Sequence, residues 1–474
     1  MTATEFDLIV LGAGPVGQNV ADRAKQGGLS VAIVEAELVG GECSYWACIP
    51  SKVLLRSGKA LRAARNVPGA REAVTGTLDV GEVFARRNRF THDWTDGHEA
   101  EWLAGAGIEL FRGTGRITGV KAVSVTSPRG SITELVARHA VALCTGTTAR
   151  VPDVPGLSEA HPWTSRDATS AQAAPGSLAI IGGGVVGVEM AAAYSSFGTD
   201  VTLISRSGLL RGFEPFAGEA VADAFRAQGM TLYLSSSPAS VSRSAEGVRL
   251  VLDTGEEVTA DEVLVAAGRA PHTGDVGLDT VGLEPGGWLD TDDTLLVSGT
   301  DWLYACGDTN HRALLTHQGK YQARAAGDVI AARATGRPVD NGRWGAHVAT
   351  ADHEAVPQVV FSDPEVAAVG LTATAAEKAG YDIRVVEYNL GWVTGASMQA
   401  EDYSGHAQLV VDENRSVVIG ATFVGQDVAE LLHAATIAIV GEVPMSRLWH
   451  AVPSFPSMSE IWLRLLEAYG RPTP

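Results

Sequence analysis

Along most of this chain, short apolar runs alternate with glycine-rich breaks. Phe6 to Leu11 is an apolar run that ends in Gly12-Ala13-Gly14-Pro15-Val16-Gly17, and it reads as a strand. A helical stretch follows to Gly27-Gly28, then a second strand, Ser30 to Val34, ending in Glu35. The same order recurs downstream: a strand Leu178 to Ile181, the turn Gly182-Gly183-Gly184-Val185-Val186-Gly187, a helix to Gly198, and a strand Asp200 to Ser205. Residues 53–105 carry mixed charge on a helical pattern, and Gly113 opens a strand-rich stretch that closes with the run Ala140 to Cys144. Pro152, Pro155 and Gly156 mark a linker. From Val356 onward the pattern changes to alternating strands, Ala407 to Val411 and Val417 to Val424, followed by helical patterns.

Strand, glycine turn, helix, strand, acid is the order of a dinucleotide-binding unit. Gly12, Gly14 and Gly17 let the backbone approach a pyrophosphate, the helix N-terminus adds favourable partial charge, and Glu35 can accept hydrogen bonds from a ribose. Gly182, Gly184 and Gly187 repeat the turn, so two nucleotides are expected, one for each Rossmann-like domain. The second copy departs where cofactor choice is made. No carboxylate ends its second strand; Ser205-Arg206 stands there, with Arg211 shortly after. An arginine pairs with the 2′-phosphate of NADP where a carboxylate would bind the NAD ribose. NADPH is therefore expected, with NADH possible.

With 474 residues the chain is too long for one ordinary core, and about three domains are expected. A net charge of −19 argues against nucleic acid or an anionic membrane as partner. Four cysteines form no structural disulfide framework and fit a reducing compartment. The N-terminus shows no basic segment followed by a long apolar one, and apolar runs such as Leu8 to Leu11 fall far short of the roughly 20 residues that span a bilayer. A soluble, cytoplasmic protein is expected.

Two of the cysteines carry the candidate chemistry, in Gly40-Gly41-Glu42-Cys43-Ser44-Tyr45-Trp46-Ala47-Cys48-Ile49-Pro50-Ser51-Lys52. In a regular helix residues five apart differ by about 7.5 Å in rise, whereas a disulfide brings Cα atoms within about 4.4–6.8 Å. Bridging this pair needs a distorted turn. A thiol near a helix N-terminus is more readily a thiolate. No metal site is expected, because zinc takes about four ligands and this region offers two sulfurs and no nearby histidine. The plain alternative is two buried cysteines; the adjoining nucleotide unit favours a redox pair.

Gly-Gly-x-Cys-x4-Cys-x-Pro-Ser-Lys resembles the active-site motif of the FAD-dependent pyridine nucleotide–disulfide oxidoreductases, which include dihydrolipoamide dehydrogenase, glutathione reductase and mercuric reductase. The similarity runs over essentially the whole chain. It implies an α/β architecture of FAD-binding segments 1–152 and 272–343, an NAD(P)-binding domain 153–271 and a C-terminal α+β interface domain 344–474 that makes a homodimer, each active site being completed by the partner. Cys43 would match the interchange thiol and Cys48 the charge-transfer thiol beside the flavin. Lys52 and Glu189 would form an ion pair at the flavin's reactive edge. Gly115, the Thr145-Gly146 turn, Asp308 of Tyr304-Ala305-Cys306-Gly307-Asp308, and Thr316 match positions on the flavin. Gly268 belongs to Ala267-Gly268-Arg269-Ala270-Pro271, which closes the second domain, with His272 in place of the usual asparagine. Gly187, where NADP members often carry alanine, weighs against NADPH. His317 reads as structural, and Cys144 and Cys306 read as small buried hydrophobes.

The C-terminal motif departs. Family members that reduce disulfides end in His-Pro-Thr-x-Ser-Glu, with the histidine as acid–base group; here the stretch is Phe455-Pro456-Ser457-Met458-Ser459-Glu460. Glu460 is kept, the histidine is phenylalanine, and no cysteine follows Cys306. A cis Phe455–Pro456 bond is expected from the retained motif. Three readings follow: an NAD(P)H oxidoreductase passing electrons through Cys43 and Cys48 to a small-molecule acceptor such as a quinone or metal ion; a dihydrolipoamide dehydrogenase-type or other disulfide reductase with a substitute acid, His450 being nearest; or a non-catalytic flavin-binding regulatory protein.

Overall fold

The computed structural model describes residues 3–471, which fall into two compact units. Of the described residues, the first comprises 3–50, 88–149 and 269–353. Its sheet is built around strand β1 (Thr4–Leu11), which pairs in parallel with β2 (Val31–Glu35) and with the strand Ile132–Leu143. Glu109–Arg112 extends the sheet beyond β2. The far half of Ile132–Leu143 also pairs in parallel with Leu303–Ala305, and its near half runs antiparallel to Ala122–Thr126.

The run Phe6–Leu11 is apolar at nearly every position because both of its faces are covered. Leu8 and Val10 pack with Val20 and Ala24 of helix α1 (Pro15–Gln26) and with Ala326 and Ile330 of the helix Thr316–Ala334. Ile9 and Leu11 point the other way, into a cluster with Ile117, Val123, Leu278 and Trp302. The two helices are also held by a bidentate ion pair between Arg23 and Asp328, at 2.9 and 2.8 Å.

The second unit comprises residues 51–87, 150–268 and 354–471 of those described. A four-stranded parallel sheet runs in the order Thr231–Leu234, Asp200–Ser205, Ser177–Ile181, Glu262–Val265. A five-stranded antiparallel sheet runs Pro357–Val360, Glu365–Gly370, Val417–Gly425, His406–Asp412, Ile383–Asn389. The last strands were expected to alternate, yet Val417–Gly425 is buried at every position. Phe423 meets Trp462 on one face, and its neighbour Val424, on the other, packs with Val360 and Val366. A strand covered on both faces has no polar side to show. Among the described residues no helix is long and apolar enough to cross a membrane.

Candidate functional site

The cysteine segment is two helices, not one. Helix α2 (Gly41–Tyr45) stops at Trp46, whose φ of −135° is non-helical, and helix α3 (Cys48–Arg65) starts two residues later. That break supplies the distortion the spacing demands, and the Cys43 and Cys48 sulfurs come to 2.6 Å. Gly40 and Gly41 enter with φ of +112° and +59°, open to glycine without strain. A side chain at Gly41 would press on the Cα of Gly14, so the cysteine segment lies directly against the first glycine turn. Buried Tyr45 fixes α2, its hydroxyl donating to the Val39 and Thr95 carbonyls, each at 3.2 Å.

Thr316 begins a 19-residue helix, and its hydroxyl lies 3.2 Å from the Cys48 sulfur. A sulfur at a helix N-terminus is placed where negative charge is favoured. The Cys43 thiol is pushed up, chiefly by its hydrogen bond with the Cys48 sulfur and then by burial; Thr316 and Lys320 pull the other way. The two sulfurs are thus close enough to exchange a proton or form a bond, with the Thr316 hydroxyl beside Cys48.

Around this pair the first unit gathers most of the positions expected on the flavin. Gly12 has φ +96°, and a Cβ there would run into the Cys144 carbonyl. Gly14 caps α1 without a side-chain bond, leaving its amides unclaimed by a cap, and Gly17 packs under the Gly12 carbonyl. Glu35 accepts from the Ala13 and Glu37 amides, both at 2.8 Å, and burial pushes its carboxyl up. Gly115 sits against Leu11 and Val34. Thr145 donates to the His272 carbonyl, and the His272 amide to Gly146. Asp308 accepts from Thr147 at 2.7 Å, with burial pushing its carboxyl up. A helix N-terminus framed by glycines and followed by a half-buried carboxylate fits a dinucleotide.

In the second unit Gly182 has φ +126°, Gly184 caps the helix Val185–Ser196, and Gly187 packs under the Gly182 carbonyl. The buried hydroxyl of Ser205 lies beside Gly183, where Glu35 lies beside Ala13 in the first unit. Arg206 and Arg211 are exposed and make no ion pair among the described residues. Gly268 accepts from the Arg150 amide.

Lys52 and Glu189 form an ion pair at 2.7 Å; Glu189 is buried and its second oxygen accepts from the Phe361 amide. Lys52→Met would leave that carboxylate without its cation. Chemical denaturation is expected to show a loss of about 1–3 kcal/mol, part of it recovered by adding Glu189→Gln. An unchanged midpoint for Lys52→Met would show that the pair contributes nothing to stability.

Glu460 shares no hydrogen bond with this pair. It is 4% exposed, one oxygen is held by Arg464 at 2.5 Å, and the other has no partner among the described residues. Phe455 is 73% exposed and its bond to Pro456 is cis, as the motif implies. Among the described residues no group of three or more His, Cys, Asp or Glu side chains could hold a metal ion.

Two features escaped the sequence. Cys144 and Cys306 follow paired strands and touch; the Cys306 thiol is pushed up by its hydrogen bond with Cys144 and by complete burial. Glu42 and Arg269 pair at 3.0 Å across the first unit. No local signal announces either, since each joins segments far apart in the chain.

Residues 6–328 match the family model described as pyridine nucleotide-disulphide oxidoreductase, and residues 356–465 match that family's dimerisation domain. A dihydrolipoyl dehydrogenase of Chlorobaculum tepidum is 31% identical over 97% of this chain and 96% of its own length. A mercuric reductase of Staphylococcus aureus is 28% identical over 96% of this chain and 81% of its own. Among solved structures, a Cu(II) complex of the HOCl-induced flavoprotein disulfide reductase RclA of Escherichia coli superposes with a TM-score of 0.84 at 23% identity, over 98% of this chain and 99% of that one. LpdA of Mycobacterium tuberculosis gives 0.82 at 24% identity, over 98% and 99%. Both likenesses are of fold.

Proposed function

The chain belongs to the pyridine nucleotide–disulphide oxidoreductases, enzymes that bind FAD and use NAD(P)H, and from that premise we propose that its acceptor is one whose reduction requires no protonation of a leaving sulfur: a quinone or a metal ion rather than an ordinary disulfide. The observation that carries this reading is Phe455, exposed where the motif puts the acid–base imidazole, while Glu460 of the same motif keeps one oxygen without a partner among the described residues. FAD, when bound, supplies the two-electron relay between nicotinamide and the cysteine pair. Gly12, Gly14, Gly17, Glu35, Gly115, Thr145, Gly146 and Asp308 would hold it. Cys48, backed by Thr316 at a helix N-terminus, sits where negative charge is favoured, while Cys43 faces the acceptor. Lys52, fixed by Glu189, adds a cation one helical turn after Cys48.

An exposed apolar set in the second unit (Ile437, Val440, Val452 and Phe455) supports the homodimer. A screen of quinones, metal ions and small disulfides under NADPH tests the acceptor. Disulfide turnover exceeding that of quinones would overturn the reading.

Arg206 and Arg211 support NADPH. A charge-assisted bond to the 2′-phosphate is worth about 1.5–3 kcal/mol, so Arg206→Ala is expected to lower kcat/KM for NADPH by about 10- to 100-fold and leave NADH nearly unchanged. Equal values for the two nucleotides in the wild type would defeat the assignment.

A further inference from the structure

We propose that Glu42, the residue just before Cys43, is a positioning residue for the flavin: through Arg269 and Thr147 it holds Asp308 as a charged, aimed acceptor. The proposal rests on Asp308 being a flavin contact. The chain of contacts lies within the first unit. Arg269 gives one terminal nitrogen to Glu42 Oε2 at 3.0 Å and to the Thr147 carbonyl at 2.7 Å, and its Nε to the Thr147 hydroxyl at 2.6 Å. The Thr147 hydroxyl in turn donates to Asp308 Oδ2 at 2.7 Å.

The direction of this relay is set by chemistry. A guanidinium has donors and no acceptor, and a threonine hydroxyl has a single proton. With Arg269 donating to its oxygen, Thr147 can only point that proton at Asp308. One oxygen of Asp308 is thereby claimed and the other is left to accept from a ligand hydroxyl. Burial works against the charged carboxyl, and the relay opposes it: Thr147 and Arg269 favour the charge, with His311 adding to them and Glu42 acting against. Glu42 nevertheless fixes the guanidinium that turns Thr147. Thr147 is buried, and Glu42 and Arg269 are each about one-fifth exposed, so solvent does not readily replace a lost partner.

Glu42 also belongs to α2, the helix that carries Cys43. One side chain therefore ties the redox segment to the turn Gly307-Asp308.

The test is a double-mutant cycle read as FAD release, followed by flavin fluorescence on dilution of the holoprotein. Glu42→Gln and Thr147→Val are each expected to weaken FAD by about tenfold, and the double variant by little more than either alone, since both cut one relay. Thr147→Ser, which keeps the hydroxyl, should retain wild-type affinity. Asp308→Asn is measured alongside. If it weakens FAD while Glu42→Gln does not, or if the two single effects simply add, the relay is wrong. If Asp308→Asn leaves FAD affinity intact, the flavin contact itself is wrong and the proposal falls with it. Either result is independent of which acceptor the enzyme reduces.

Discussion

Phe455→His is expected to raise kcat/KM for a small disulfide such as lipoamide by about 10²-fold or more, while quinone reduction stays within about twofold of wild type. Cleaving a disulfide substrate releases a thiolate, and a positioned acid lowers that barrier by protonating it. A benzyl side chain has no proton to give. Glu460 is a poor substitute, because Arg464, a donor with no acceptor, already engages one of its oxygens. The structure favours a gain by single substitution. Phe455 is exposed in the single chain, so replacing it disturbs no core of its own subunit. Glu460 is buried with one oxygen tied to Arg464 and the other without a partner among the described residues. In the family motif the glutamate five residues on orients the histidine, so an imidazole at position 455 is expected to be oriented by Glu460. Adding Glu460→Gln should remove most of the gain. Wild-type disulfide turnover equal to that of the histidine variant would show that another acid is at work, with His450 the first to replace.

Gly12→Ala is the second large effect. At φ +96° an alanine is strained by about 1–3 kcal/mol, and its methyl would be driven into the Cys144 carbonyl. Both walls of that contact are backbone, held by the Cys144 amide donating to Leu11 and the Gly12 amide donating to Val34. Neither can swing aside as a side chain would. The protein is expected to purify with weakened flavin retention, by roughly tenfold or more. Gly184→Ala is the contrast: nothing lies within 4 Å of the added methyl. Fold stability should hold while the KM for NADPH rises, because that open space is where the nucleotide is expected. Equal flavin retention in wild type and Gly12→Ala would show that the turn yields more than its hydrogen bonding suggests.

Both glycine turns and their strands were legible because each is a local pattern: an apolar run, a turn only glycine adopts cheaply, and a helix start within six residues. The break in the cysteine segment was legible for the same reason, since five-residue spacing and disulfide geometry are incompatible within one helix. The Lys52–Glu189 pair was reached only through family resemblance; charge patterning alone gives no reason to join residues 137 apart. The relay Glu42–Arg269–Thr147–Asp308 was not reached at all. Its members look like ordinary turn and strand residues until the pairing of Thr147–Ala149 with Arg269–Pro271 sets them side by side. Val417–Gly425 misled for another reason: small and β-branched residues suit a half-exposed strand as well as a fully covered one, and helices packed later in the chain decide which it is.

The pairing of Leu303–Ala305 with Ile132–Leu143 gives the chain two populations of thiol in equal number. Cys43 and Cys48 are partly open to solvent, whereas Cys144 and Cys306 are sealed between a sheet and its helices. A chromogenic thiol reagent added to reduced, native protein should register only the first two, and denaturant should release the rest. Between those limits, the slow arrival of the second pair under native conditions is a clock for the opening of the first unit. It needs no engineered label, and comparing its rate with and without nucleotide would show how far cofactor binding locks that sheet shut.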